Sequence, residues 1–265
     1  MALDYRSYAK QFKENGYVSP VPFLSEEEAI YHRARLEKIE NQIGSLHYRS
    51  KAPYFHDLCT GIGNTAVCFG SGRTNDRPQY PALQCDLHHK GTPCPQPCQL
   101  ASGPNHWGLS HDDQVSMWLA LSPATQESGC MRMIPGSHKL GKVEHQTTED
   151  DTNVLLQGQT VTSVDEEQSR LCPLRPGEAT FHHGWTLHAS MPNRSEDRRI
   201  GLNVQYLATH VRQMKHDKDS AMLVRGEDRY HHFRTDRPAT SDLDPKALER
   251  QAELERLYVE TAGSA

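Results

Sequence analysis

The chain lacks any run of the about 18 apolar residues that a transmembrane helix needs, so no membrane span and no membrane partner is expected. It lacks positive charge in excess: the formal net charge is -5, which gives no support to nucleic-acid binding. Its opening, MALDYRSYAK, lacks the apolar core of a secretory leader, and the cytoplasm is the expected compartment. It also lacks a disulfide framework, because its seven cysteines are odd in number and unevenly placed. What remains is a soluble globular composition over 265 residues, a length that suits one large β domain. No internal repeat is visible.

Both ends read as helix. Residues 3–14 form a helix-like stretch that stops at Gly16, a good capping residue. Ser25 followed by Glu28 is a capping box, in which each residue satisfies the other's amide. The helix behind it places Ala29, Leu36, Ile39 and Ile43 on roughly one face and should end near Gly44. Asp244-Pro245 is an N-cap followed by proline at the first helical position, and Ala247, Leu254 and Leu257 continue a short amphipathic helix.

The middle reads as β. Val115, Met117, Leu119 and Leu121 alternate with Ser116, Trp118 and Ala120. Residues 131–134 run into the turn Pro135-Gly136-Ser137, and Pro176-Gly177-Glu178 is a turn before a strand-like stretch at 179–182. Ile200, Leu202, Val204 and Tyr206 alternate with Gly201, Asn203 and Gln205. Short strands between terminal helices predict a barrel or sandwich with helical padding. One stretch departs from this order. From about 59 to 105 the chain loses both periods and holds five of the seven cysteines, with much Gly, Pro and Gln. So long an aperiodic stretch inside a compact domain argues against any simple element assignment.

Chemistry concentrates at 177–206. His188 precedes a turn, and a second strand starts at Arg199. If Ile200, Leu202 and Val204 face one side, Arg199, Gly201 and Asn203 face the other, on the side of a nearby imidazole. Imidazole suits iron, and guanidinium holds a carboxylate in a bidentate fork. On spacing alone, a core histidine and a surface ion-pair arginine explain these residues as well.

VSMWLALSPATQESGCMRMIPGSHKLG at 115–141 and HHGWTLHASMPNRSEDRR at 182–199 resemble, in order and separation, the two signatures of the phytanoyl-CoA dioxygenase family. The resemblance extends to LHYRSKAPY from Leu46 and LVRGEDRYHHF from Leu223, and so treats 1–265 as a single domain with about 59–105 anomalous. It implies a mainly β fold, a double-stranded β-helix (jelly-roll, cupin-like) core with N-terminal and C-terminal helices. It implies Fe(II), O2 and 2-oxoglutarate, and hydroxylation of an aliphatic carbon of a small-molecule substrate. His188 matches the distal iron-binding histidine, and Arg199, eleven residues on, matches the anchor of the far 2-oxoglutarate carboxylate. Asn203 is a further candidate to position the co-substrate, and Trp107 and Trp118 candidates to line the pocket. His138 belongs to the signature without a readable role, and His182 and His183 read as structural. Substrate identity and oligomeric state are left open.

The family's other two ligands form His-x-Asp, commonly within WHQDLTYWGL. Here His106-Trp107-Gly108-Leu109 matches the end of that string, and counting back puts Ala101 and Gly103 at the ligand positions. Three explanations compete. His111 and Asp113 are a His-x-Asp that could substitute, although they read better as turn residues. A change of function is the second: a halide in place of the carboxylate suits Gly103 but not Ala101. A non-catalytic jelly-roll binding protein, or a zinc insert on Cys85, His88, His89, Cys94 and Cys98, belongs under the same heading. The third is a reading-frame error. Cys85–Asn105 can be back-translated so that the same DNA, read one base later, gives ATFIIKEPHAPSHVSWHQDLT. That peptide supplies the missing motif and a β-rich strand, and the shift explains the excess cysteine, so this explanation is favoured.

Overall fold

The computed structural model describes residues 4–44, 81–90, 98–101, 108–141, 146–147, 159–160 and 166–262. Most of 59–105, together with Gly103, His106, Trp107 and the LHYRSKAPY stretch, lies outside the described residues.

Helix α1 (Tyr5–Asn15) begins at Asp4, whose carboxylate accepts from the Ser7 amide at 3.1 Å, and it ends on Gly16 at φ 81°. Glycine adopts this left-handed cap without the steric cost of a Cβ. Helix α2 (Glu26–Ile43) carries the expected reciprocal box: Ser25 Oγ accepts from the Glu28 amide at 3.1 Å, and Glu28 Oε2 accepts from the Ser25 amide at 2.8 Å. Ala29, Leu36 and Ile39 are buried, and His32 shares their burial. Ile43 does not. It is 46% exposed in the last turn, just before the left-handed Gly44. Helix α3 (Pro245–Ala262) is longer than expected. Its cap Asp244 accepts from the Thr240 amide and hydroxyl and from the Lys246 amide, bonds that hold its carboxyl down at about 2.

The strands follow in chain order as β1 (Tyr17–Pro22), β2 (Pro81–Lys90), β3 (Cys98–Ala101), β4 (Gln114–Ala120), β5 (Met131–Met133), β6 (Gln146–Thr147) and β7 (Gln159–Thr160). Then come β8 (Arg170–Cys172), β9 (Glu178–His183), β10 (His188–Ser190), β11 (Arg199–Leu207), β12 (Ser220–Leu223) and β13 (Arg234–Thr235). The chain divides into two compact units. The first comprises Met1–Ala34, His88–Gly103 and Met117–Leu202; the second comprises Arg35–Leu87, Pro104–Ser116 and Asn203–Ala265.

In the first unit, β1, β9, β4 and β11 lie in that order in one sheet, and β3, β10, β5 and β8 form another. Their side chains meet in a buried cluster of Trp118, Ala120, Met131, Met133, Cys172 and Leu174. Two open sheets packed face to face are the sandwich form of the jelly roll, so the closed-barrel alternative falls away. In the second unit, β11 continues and is followed across its sheet by β2, β12 and β13.

The alternation read in β4 is present, but both faces of the strand are covered. Its polar donors are therefore paired within the protein, although Gln114 Oε1 has no partner among the described residues. In the second unit Gln114 Nε2 and Ser116 Oγ both donate to Gln205 Oε1 at 2.5 Å. Buried amides and hydroxyls require such partners, because desolvation without one costs about 1–3 kcal/mol each.

Candidate active site

The loop that delivers His188 is fixed at both ends. Strand β9 closes in a turn where the Thr186 amide donates to the His183 carbonyl at 2.9 Å. The turn is tied to the cap of α1: the His183 amide donates to the Gly16 carbonyl at 2.7 Å, and Thr186 Oγ1 donates to it at 2.8 Å. A Cβ at Gly16 would collide with His138 and Thr186. On the far side, Ser137 Oγ donates to the Ile134 carbonyl at 2.7 Å and accepts from the Leu187 amide at 2.9 Å. Pro135-Gly136-Ser137 thus grips the residue immediately before His188.

His188 is held in a ligand-ready form. Its Nδ1 lies 2.9 Å from the Thr186 carbonyl. A carbonyl only accepts, so Nδ1 carries the proton and Nε2 keeps its lone pair. Burial pushes the imidazole pKa below its usual range, which keeps the ring neutral near pH 7. His182 on β9 packs against it, with ring centroids 4.9 Å apart. His182 is itself buried, its Nδ1 has no hydrogen-bond partner, and burial first, then the neighbouring histidines, push its pKa well down.

Arg199 opens β11 and is 5% exposed. Its guanidinium stands 5.1 Å from the centre of the Trp118 ring, and Nη1 reaches Ser190 Oγ at 3.4 Å. The indole is a floor: Gly201 follows two residues later on the strand, and any Cβ there would strike the Trp118 ring. The cation's field reaches Cys130, whose thiol pKa is raised by burial and partly drawn back by Arg199. A buried permanent cation with a hydroxyl beside it has the donors that a carboxylate requires.

The metal side is different. Strand β10 lies between β3 and β5, and the register sets Ala101 and Met133 on either side of His188. Alanine offers no donor atom. Among the described residues, no group of three or more His, Cys, Asp or Glu side chains is placed to hold a metal ion. Among the described residues, Arg199 and Ser190 offer donors suited to a carboxylate, and no ligand set for iron is assembled.

The remaining candidates take ordinary places. Asp113, in the second unit, accepts from His210 Nε2 at 3.0 Å, and His111 Nδ1 meets Ser110 Oγ at 2.8 Å within the same bend. Asn203 is half-buried in the second unit. His138 packs against Gly16 and His183 at the corner that supports β10. His183 Nδ1 accepts from the Trp185 amide, in keeping with a structural role. The side chains of Cys85, His88, His89 and Cys98, and all of Cys94, fall outside what is described. Sequence reasoning missed Ser137, Ser190 and the contact of His182 with His188. Only Ser137 left a trace, through its place in the signature.

The fold is that of non-haem oxygenases. The apo form of the non-heme monooxygenase ThoJ matches with TM-score 0.81 at 22% identity, over 97% of this chain and 98% of that one. CytC3 with Fe(II) and alpha-ketoglutarate matches with TM-score 0.61 at 21% identity, over 90% and 94%. Residues 80–201 match the model of the Phytanoyl-CoA dioxygenase (PhyH) family. A probable alpha-ketoglutarate-dependent hypophosphite dioxygenase of Stutzerimonas stutzeri is 32% identical over 102 residues, 37% of this chain and 35% of that protein. The matched portion spans about a third of the length of such curated relatives.

Proposed function

We propose that this protein is a 2-oxoglutarate-dependent dioxygenase of the cytoplasm, organised as one domain over 1–265 and acting on a small organic molecule. The balanced reaction is R–H + O2 + 2-oxoglutarate → R–OH + succinate + CO2. The observation that carries the reading is Arg199, a buried cation seated on Trp118 with Ser190 beside it, in the same unit as a neutral His188. Arg199 would neutralise and orient the far carboxylate of 2-oxoglutarate, and His188 Nε2 is the nitrogen that would take Fe(II), the group that supplies oxygen activation in this class. Because position 101 carries alanine, no step through iron is derived for the chain as it stands. Free buried thiols at Cys130 and Cys172 suit a reducing compartment. The relatives' names, a dioxygenase and hydroxylases among them, weigh against a non-catalytic binding protein.

The test is a titration with 2-oxoglutarate, followed by calorimetry. The protein should bind the keto-acid, and Arg199→Gln should weaken binding by about thirtyfold or more, the usual result of removing one partner of a buried charge pair. Equal binding by the two proteins would remove the co-substrate assignment.

A further inference from the structure

The disagreement between fold and chemistry sits at one position. Residues directly opposite in an antiparallel pair share a face of the sheet, with Cβ atoms about 5 Å apart. Ala101 is directly opposite His188, and Met133, on the other side of His188, belongs to the buried cluster between the sheets. The position of β3 in register with His188 is therefore 101. A second ligand offered by this strand to a metal on His188 belongs there.

Base arithmetic selects the same position. Gln99–Pro104 can be written CAG CTG GCA TCA GGA CCT. Read one base on, this is AGC TGG CAT CAG GAC, which is Ser-Trp-His-Gln-Asp. The histidine comes from the codon of Ala101, and the aspartate from that of Gly103. Strand register and codon offset are independent of each other, since the register was set by the chain as written. Over Cys85–Asn105 the same offset removes Cys85, Cys94 and Cys98 and both glycines.

We propose that residues from about 59 to 105 are read one base out of frame with the rest of the gene. One extra base lies upstream and one missing base downstream. The in-frame protein then carries His at position 101, in register with His188, and Asp at position 103. The metal half of this inference rests on the oxygenase reading; the frame half does not.

The experiment has two arms. The first sequences the genomic DNA and transcript across codons 55–110. One added and one lost base at the segment's edges are expected; DNA that agrees with the chain as written overturns the inference. The second arm titrates Co(II) anaerobically, followed by its visible absorption, into three proteins: the chain as written, its A101H/G103D variant and the frame-corrected chain. The corrected chain should bind at least about a hundredfold more tightly than the chain as written, because one imidazole does not hold a catalytic metal. The double variant, which keeps the rest of the segment unchanged, should recover part of that gain. Equal Co(II) affinity in all three overturns the placement at 101. A corrected chain that binds Co(II) and leaves 2-oxoglutarate unbound upholds the frame inference and sinks the oxygenase reading instead.

Discussion

Strands β10 and β3 lie side by side, in register at His188 and Ala101, and of that pair only His188 carries a donor side chain. Every residue around β10 agrees with its neighbours. Gly16 caps a helix and receives the turn, Ser137 fastens Leu187, and Thr186 sets the tautomer of His188. Strand β3 comes from a stretch whose sequence follows neither structural period. The backbone pairs in both cases, because ladder hydrogen bonds do not depend on side-chain identity. A fold can therefore place a functional position correctly while the residue there contributes nothing. Consistency across local levels is what separates the two strands.

The largest effect expected on the β10 side comes from its floor. Trp118→Ala removes a fully packed indole and should cost about 3–5 kcal/mol, measured by urea unfolding. It should also loosen Arg199 and weaken 2-oxoglutarate binding. A loss below about 1 kcal/mol would mean that the indole is not the platform on which Arg199 rests.

Gly201→Ala tests the same floor from the other strand. Its Cβ would strike the Trp118 ring, and overpacking of a buried ring costs up to about 3 kcal/mol. Trp118 fluorescence should shift with it. An unchanged spectrum and midpoint would show that the indole has room to move. Ser137→Ala is expected to cost about 2 kcal/mol, because it strips the Leu187 amide of its buried acceptor. Near-zero cost would show that the clamp before His188 is dispensable, and the contrast with β3 would shrink accordingly.

Much of this was legible in the sequence, and the physical reason is locality. The Gly16 cap, the Ser25–Glu28 box, the Asp244-Pro245 start and the turn at Pro176-Gly177 depend on neighbours within a few residues. The start of β11 at Arg199 was legible because alternation switches on there. What stayed hidden depends on partners far along the chain. Ser137 and Leu187 are fifty residues apart, and Gln114 and Gln205 ninety-one. His182 meets His188 because β9 and β10 fall in facing sheets, which no local pattern announces. The two-residue strands β6, β7 and β13 are too short to show any period. Of the candidate site, the Arg199 and His188 positions were readable through the signatures, and the neighbour of His188 only through register.

The most gradual effect expected is one of pH, and its sign follows from burial. His138, His182 and His188 are all pushed below the usual histidine value of 6.5, with burial the leading cause for each. In the unfolded chain they take up protons as the pH falls through 6.5, while in the folded protein they remain neutral for longer. The unfolded state then binds more protons, so stability is full above that pH and declines below it, by at most about 1.4 kcal/mol per pH unit for each histidine. Urea midpoints at pH 8 and pH 5.5 should therefore differ, with the acid midpoint lower. His138→Gln removes one of the three rings from this balance and should make the pH dependence shallower. A midpoint that rises in acid would mean that these rings find acceptors on protonation. The β10 side of the comparison would then owe its stability to charge rather than to packing.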